Sequence, residues 1–209
     1  GIFGLVGSGI DELSKVIFGA IKPTSGKIYL NGKEVKFNSP KQAIKNGVFL
    51  IPGDRQKEGY VGDQSVASNL TMAKINKVTG FAGLIKTGKQ REISKQMIKD
   101  LIIATPTEKK HVSQLSGGNQ QKVVVGKGLF TDAEVYIFTE PTIGVDVGAK
   151  FSIYEIMRKL SKDAVVILIS SDIEEVYGMA DRIMILNKGE IKAEGTADEF
   201  NLNYMLVNA

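Results

Sequence analysis

Leu115-Ser116-Gly117-Gly118-Asn119-Gln120-Gln121-Lys122 stands roughly midway along the chain, between a polar, Lys-rich stretch and an apolar run that begins Val123-Val124-Val125. Serine is a favoured N-cap, so Ser116 predicts a helix start. Gly117 and Gly118 carry no side chains to block approach. The first N–H groups of a helix lack intrahelical partners and lie at the positive end of its macrodipole. Such a cluster is an anion site, and phosphate is the usual anion. An ordinary capped helix after a Gly-rich turn fits the same residues, so the cap alone does not decide between the two.

The residues that follow do decide. Val135-Tyr136-Ile137-Phe138 is an apolar run closed by Thr139-Glu140-Pro141-Thr142, and Ile143-Gly144-Val145-Asp146-Val147-Gly148-Ala149-Lys150 comes directly after. In order and spacing these three stretches resemble the signature motif, the metal-binding and catalytic strand, and the following Asp-bearing loop of ATP-binding-cassette (ABC) ATPases. Three ordered motifs are far more specific than a lone Gly-rich loop. The wording Gly-Gly-Asn-Gln-Gln and Gly-Val-Asp-Val-Gly-Ala-Lys is similar to that of sugar importers whose two cassettes are fused in one polypeptide. The chain resembles the C-terminal cassette over nearly its whole length.

Upstream, Ile2-Phe3-Gly4-Leu5-Val6 reads as a buried strand, Gly7-Ser8-Gly9 as a tight loop, and 11–20 as a helix with Leu13, Val16, Ile17 and Ala20 on one face. Strand, Gly loop and helix make the layout of a phosphate loop, G-x-x-x-x-G-K-[ST]. Gly4 and Gly9 fit that pattern. Ile10 stands at the Lys position, Asp11 at the Ser/Thr position, and Glu12 follows. Two carboxylates thus replace a cation and a hydroxyl where ATP carries its negative charge. Like unit charges ~4 Å apart cost about 4 kcal/mol at an effective dielectric near 20. A helix with acids in its first turn, which the macrodipole favours, accounts for the same residues without nucleotide.

The resemblance assigns further positions. Glu140 matches the general base that polarises the attacking water. Thr139 stands where the family has an Asp that holds Mg2+ through water, and a neutral hydroxyl is a weaker ligand. Asp146 matches the loop Asp. Ser171 stands where the family has a switch His, and within Ser171-Asp172-Ile173-Glu174 it reads as the N-cap of a capping box. Leu115, Ser116, Gly117, Gly118, Asn119 and Gln120 are expected to act on ATP bound to a partner cassette. Gly4, Gly7, Ser8, Gly9, Ile10, Asp11 and Glu12 form the altered loop. Gly53 replaces the Glu usual before Asp54-Arg55, a pair that reads as solvated surface charge.

Composition bounds the rest. The 209 residues and 43% hydrophobic content suit one large α/β domain with a full core. No apolar run nears the ~20 residues that span a bilayer. The absence of Cys excludes disulfides and thiolate metal sites. A net charge of +4 with dispersed Lys residues gives little support to nucleic acid as a partner. The start at Gly1, inside an apolar run, is expected to mark a segment of a longer chain. The family's adenine-stacking aromatic lies upstream of that point.

Other local signals are plain. Asn31-Gly32 predicts a hairpin between Ile28/Leu30 and Val35/Phe37. Ser39-Pro40 opens a helix that Gly47 closes, and 48–51 is a buried strand. Ile93, Met97, Ile98 and Leu101 share a helix face. His111, the only His, reads as surface. Gly126 and Gly128 inside the helix after the signature predict close approach of another backbone. A helix over 148–162, a strand over 164–169 and a strand over 182–186 complete the alternation.

The expected fold is therefore α/β: a P-loop ATPase-type, mostly parallel sheet flanked by helices, with a small antiparallel β region. A helical subdomain at about 64–118 is inserted in one nucleotide-binding domain, 1–209. The resemblance implies ATP and Mg2+ at a composite site with a partner cassette, no metal held by this chain alone, and weak or no hydrolysis by this segment. It further implies membrane permease subunits, a sugar-binding protein acting indirectly, and residence at the cytoplasmic face of the cell membrane. A competent ABC ATPase cassette, a non-transport ABC ATPase and a basic nucleic-acid-binding domain are the alternatives. Ile10 argues against the non-transport class, which would be expected to keep the phosphate-loop Lys.

Overall fold

Apolar runs become strands and amphipathic stretches become helices in the computed structural model, which describes residues 1–209. In chain order come β1 (Ile2–Phe3), α1 (Ile10–Ile17), β2 (Ile28–Leu30), β3 (Lys33–Val35), α2 (Pro40–Lys45), β4 (Val48–Ile51), α3 (Val66–Thr71), α4 (Thr87–Asp100) and α5 (Gly117–Leu129). Then follow β5 (Val135–Thr139), α6 (Val147–Leu160), β6 (Val165–Ser170), α7 (Ile173–Met179), β7 (Arg182–Asn187), β8 (Glu190–Thr196) and α8 (Leu202–Asn208). The chain divides into two units. One comprises Gly1–Gly53, Glu134–Pro141 and Lys159–Ala209; the other comprises Asp54–Ala133 and Thr142–Arg158.

The first unit is built on a six-stranded sheet in the order β4-β5-β6-β1-β7-β8. All neighbours are parallel except β7 and β8. Strands buried on both faces are continuous apolar runs, and Val48 to Ile51 and Tyr136 to Phe138 are buried throughout. The register sets Ile2 and Thr139 on either side of Ile169, and Phe3 beside Ser170. The carboxyl ends of β1, β5 and β6 therefore share one edge, where ligands of parallel α/β sheets bind. β2 and β3 form a separate antiparallel pair. Their turn takes positive φ at both Asn31 (52°) and Gly32 (74°), as a type I′ hairpin requires. Ser39 caps α2 through Gln42 N, and Gly47 ends that turn at φ 80°.

The start of α7 differs from the capping box expected at Ser171. β6 runs to Ser170, so the cap of α7 passes from Ser171 to Asp172, whose Oδ1 accepts from the N–H groups of Glu174 (3.1 Å) and Glu175 (3.2 Å). Ser171 N–H is already committed to the Glu140 carboxylate.

The second unit is helical and centred on α5, where Val123 and Val124 are fully buried. Val66 and Leu70 of α3 pack with Leu101, Ile103, Val112, Leu115 and Val123, and Met97 and Ile98 of α4 lie against that cluster. Close approach at Gly126 is observed, but to side chains rather than to another backbone: a Cβ there would stand 2.6 Å from Leu70 Cδ2 and 2.8 Å from Leu101 Cδ1. Asn69, fully buried, ties its side chain to Val61 N and to the carbonyls of Val61, Gln64 and Ser65. His111 is exposed.

Candidate nucleotide site

In the first unit the loop after β1 folds back on itself. Ser8 N–H donates to Leu5 O (2.9 Å) across a turn in which Gly7 takes φ 88°, and Gly9 precedes α1 at φ 99°. Gly4 admits no side chain: its Cβ would collide with Ser8 Oγ and lie 2.8 Å from Leu186 O and 2.9 Å from Ile10 Cγ2. Ser8 Oγ is buried without a hydrogen-bond partner. Ile10 is 6% exposed and packs with Ile2, Leu50, Ile137, Ile169 and Leu186. Asp11 and Glu12 are exposed, and Asp11 pairs with Lys15 one turn on at 2.9 Å.

At the ends of β5 and β6 the polar groups bond to one another. Thr139 is buried, with Oγ1 unpartnered. Glu140 adopts φ 45°, a left-handed conformation that costs a non-glycine residue about 1 kcal/mol or more. Its backbone N–H donates to Ile169 O (2.8 Å), and its Oε1 accepts from Ser171 N (2.8 Å). Ser170 Oγ lies 3.2 Å from Glu140 Oε2 and donates to Glu175 Oε2 at 2.5 Å. Asp172 N–H donates to the same Oγ at 3.1 Å. Ser170 and Glu175 were not singled out from sequence; the only signal was their place at the end of a buried strand and in the helix that follows. Gly53 leaves room for this arrangement, since a Cβ there would come within 3.2 Å of Glu140 Cβ.

In the second unit the signature opens α5. Ser116 holds the N-cap position, but its side chain caps no backbone N–H. Its Oγ accepts instead from Asn119 Nδ2 (2.8 Å), and Asn119 Oδ1 accepts from Ala104 N (2.7 Å). Gln120 is buried and directs Nε2 to the carbonyls of Leu115 (3.1 Å) and Val112 (3.4 Å). Leu115 itself is buried. Gly118 is pressed against the start of α6: a Cβ would lie 2.5 Å from Ala149 Cβ and 3.1 Å from Asp146 Oδ2. Asp146 Oδ1 accepts from Ala149 N at 2.9 Å.

Arg55 is the residue whose role sequence reasoning misassigned. It is no solvated partner of Asp54, which accepts from Lys57 N and pairs with Lys57 Nζ at 3.1 Å. Arg55 sends Nη1 to Ile143 O (2.6 Å) and Nη2 to Gly144 O (2.9 Å). The guanidinium fork holds a loop in one shape through two carbonyls. A Cβ on Gly117 would fall 2.8 Å from Arg55 Nη2 and 2.9 Å from Gly144 O. The glycines of the signature are thus required by packing within the unit, whatever else approaches them.

A family model described as ABC transporter matches residues 1–143. The chain belongs to the ABC transporter family. The ribose import ATP-binding protein RbsA of Caldanaerobacter subterraneus subsp. tengcongensis is 40% identical over 210 residues, which cover 100% of this chain and 42% of that protein. The xylose import ATP-binding protein XylG of Thermoanaerobacter pseudethanolicus is 43% identical, over 95% of this chain and 40% of its own length. The cassette thus spans about two fifths of these curated relatives. Among solved structures, a nucleotide-free ATP-binding cassette from an ABC transporter superposes with a TM-score of 0.79 at 22% identity, over 99% of this chain and 83% of that one. The dimeric cassette MJ0796 in a post-hydrolysis state with ADP and Pi gives 0.79 at 21% identity, over 94% and 84%. These confirm the fold: a mostly parallel sheet with a small antiparallel sheet, flanked by helices.

Proposed function

We propose that this cassette is the C-terminal half of the ATP-hydrolysing subunit of an ABC sugar importer. In this reading it couples ATP binding and hydrolysis on the assembled subunit to transport, and its own phosphate loop is degenerate. It offers Ser116, Gly117 and Gly118 to ATP and Mg2+ held on a partner cassette. Permease subunits hold it at the cytoplasmic face of the membrane, and a sugar-binding protein acts through them.

The observation that carries the reading is Ile10. A phosphate-loop Lys must reach the β- and γ-phosphates. The residue at that place is apolar and points into the core among Ile2, Ile137 and Ile169. Asp11 and Glu12 beside it add negative charge, and Thr139 lacks the carboxylate Mg2+ prefers. The Glu140 carboxylate, which a general base would need free for water, is taken up by Ser171 N–H. The start of α5 differs: its first N–H groups are uncapped like those of α1, but its first turn carries no acid. The family names of the relatives, ribose and xylose import ATP-binding proteins, support sugar as the cargo.

A steady-state ATPase assay on the chain alone tests this. Little or no turnover is expected, because phosphoryl transfer draws its acceleration from positioning and charge neutralisation that these residues lack. Turnover of ~1 s⁻¹ or more, abolished by Glu140→Gln, would overturn the reading in favour of a competent cassette.

A further inference from the structure

Residues 64–91 contain no Asp or Glu, yet carry Lys74, Lys77, Lys86, Lys89 and Arg91. Three of these cations are committed within their unit. Lys74 donates to Thr131 O (2.6 Å), Lys77 to Phe130 O (2.8 Å) and the Asp132 carboxylate, and Arg91 pairs with Glu108 at 3.0 Å. Lys86 and Lys89 are exposed and have no acidic partner.

Between them and α3 the chain makes a short hairpin at 78–86. Lys86 N–H donates to Val78 O (2.8 Å) and Gly80 N–H to Leu84 O (2.8 Å), with an antiparallel bridge between Thr79 and Ile85. Val78 is fully buried and anchors the base. The tip is Phe81-Ala82-Gly83-Leu84, with positive φ at Ala82 (56°) and Gly83 (74°). The turn presents Phe81 at 97% exposure, Leu84 at 73% and Ile85 at 47%. An exposed ring and an exposed aliphatic side chain, with a half-exposed Ile85 beside them on a hydrogen-bonded turn, form an apolar patch of the kind that marks interaction sites. The stem of Lys86 runs along Gly80, since a Cβ there would lie 2.7 Å from Lys86 Cε. Lys86 therefore lies along the base of the apolar wedge, and Lys89 follows it in the first turn of α4.

We propose that the 78–86 hairpin contacts an anionic lipid surface, with Phe81 and Leu84 entering the interface and Lys86 and Lys89 meeting the headgroups. Apolar side chains that reach the acyl boundary, ringed by lysines whose stems are apolar and whose ends stay in water, have the make-up of an interfacial contact. Charge complementarity selects the lipid: anionic headgroups attract basic segments near the surface, and nothing acidic within the segment opposes it. With one short wedge and two free lysines the contact is weak and reversible. It adds to other attachments by raising local concentration. It goes beyond the nucleotide reading and does not depend on it.

Vesicle sedimentation with the full chain, without nucleotide, is the test. Vesicles of phosphatidylcholine with 40% phosphatidylglycerol should retain the chain about tenfold or more better than pure phosphatidylcholine vesicles, and the gap should shrink as salt rises toward ~0.5 M. Phe81→Ser with Leu84→Ser should reduce retention about tenfold while the circular dichroism melt stays unchanged, because both side chains are exposed. Lys86→Gln with Lys89→Gln should abolish the preference for phosphatidylglycerol. Equal retention on both vesicle types, or retention untouched by the Phe81/Leu84 change, overturns the proposal. No retention at all also overturns it and leaves the wedge to a protein partner.

Discussion

Two helices of this cassette begin in the same way and have opposite surroundings. α1 follows the Gly7-Ser8-Gly9 loop and α5 follows Ser116, and each starts with N–H groups that no side chain caps. The first turn of α1 is apolar inward and acidic outward: Ile10 in the core, Asp11 and Glu12 in water. The first turn of α5 is neutral, with Gly117 and Gly118 in place of side chains and no acid in the turn. The backbone dipole is the same in both. Under the proposed function, the side chains of three consecutive positions are what would separate a helix start that takes phosphate from one that does not. Substitutions can alter either side of that contrast.

The largest effect is expected at the open end. In a complete two-cassette protein, Ser116→Arg should lower ATP turnover at least 100-fold. Ser116 is exposed, so the change should leave the fold intact while filling the space where phosphate would approach. Gly118→Asp should abolish turnover too, for a mixed reason. The sequence made Gly118 a matter of access; the structure adds Ala149 Cβ 2.5 Å from any Cβ placed there. Overpacking of that kind costs ~1–3 kcal/mol, so Gly118→Asp must be read beside a melting curve. Normal turnover in the Ser116→Arg protein would show that α5 donates nothing to nucleotide.

Next comes the closed end. Restoring Lys at Ile10, Ser at Asp11 and Thr at Glu12 rebuilds the loop chemistry on paper, and nucleotide affinity should rise in calorimetric titration with an ATP analogue. The structure adds a cost. Ile10 is 6% exposed among core side chains, so its removal alone forfeits roughly 2–3 kcal/mol of apolar burial, and a lysine there must snorkel or lose its charge. A triple variant as stable as the native chain would mean that Ile10 is not what ties α1 to the sheet. Adding Thr139→Asp should widen the affinity gap with and without Mg2+.

How these features divide between legible and hidden follows from range. Apolar runs announced β4 and β5, Asn31-Gly32 announced its turn and Ser39-Pro40 its helix, because each signal is complete within a few residues. The fork of Arg55 on the carbonyls of Ile143 and Gly144 joins positions 88 and 89 residues apart, and nothing local marks it. The collision of Gly118 with Ala149 is hidden for the same reason. The cap of α7 was misread within one residue, since Ser171 and Asp172 are both good caps. A distant carboxylate, Glu140, took the N–H of the first and so decided the choice.

A smaller effect concerns the body of α5 rather than its start. Lys127 is partly buried and donates to Gly59 O, and burial pushes its ammonium from the ordinary 10.5 down to about 8. The unfolded chain holds that proton more tightly, so stability should rise as pH climbs from about 8 towards 10.5. The full shift would correspond to ~3 kcal/mol; partial exposure and the Gly59 carbonyl reduce it to on the order of 1 kcal/mol. Urea unfolding at pH 7.5 and 10 measures it, and Lys127→Met should remove the pH dependence of this step. An unchanged pH slope in Lys127→Met would assign it to other groups.

The smallest effect isolates charge from packing. Asp11→Ser with Glu12→Thr leaves Ile10 in the core and changes only exposed side chains. The double variant gives up the Asp11–Lys15 pair and two acids favourable to the macrodipole, together about 1 kcal/mol or less. It also removes two negative charges from the place where the phosphates of ATP would lie. Those charges are in water and screened, so affinity for an ATP analogue should rise only several-fold, and the gain should fade as salt shortens the Debye length from ~10 Å at 0.1 M. The triple variant should retain its advantage at high salt better, because a lysine that reaches the phosphates makes direct hydrogen bonds. Native chain binding as tightly as the double variant at low salt would mean that the acids of α1 do not repel phosphate. The contrast between α1 and α5 would then rest on Ile10 alone.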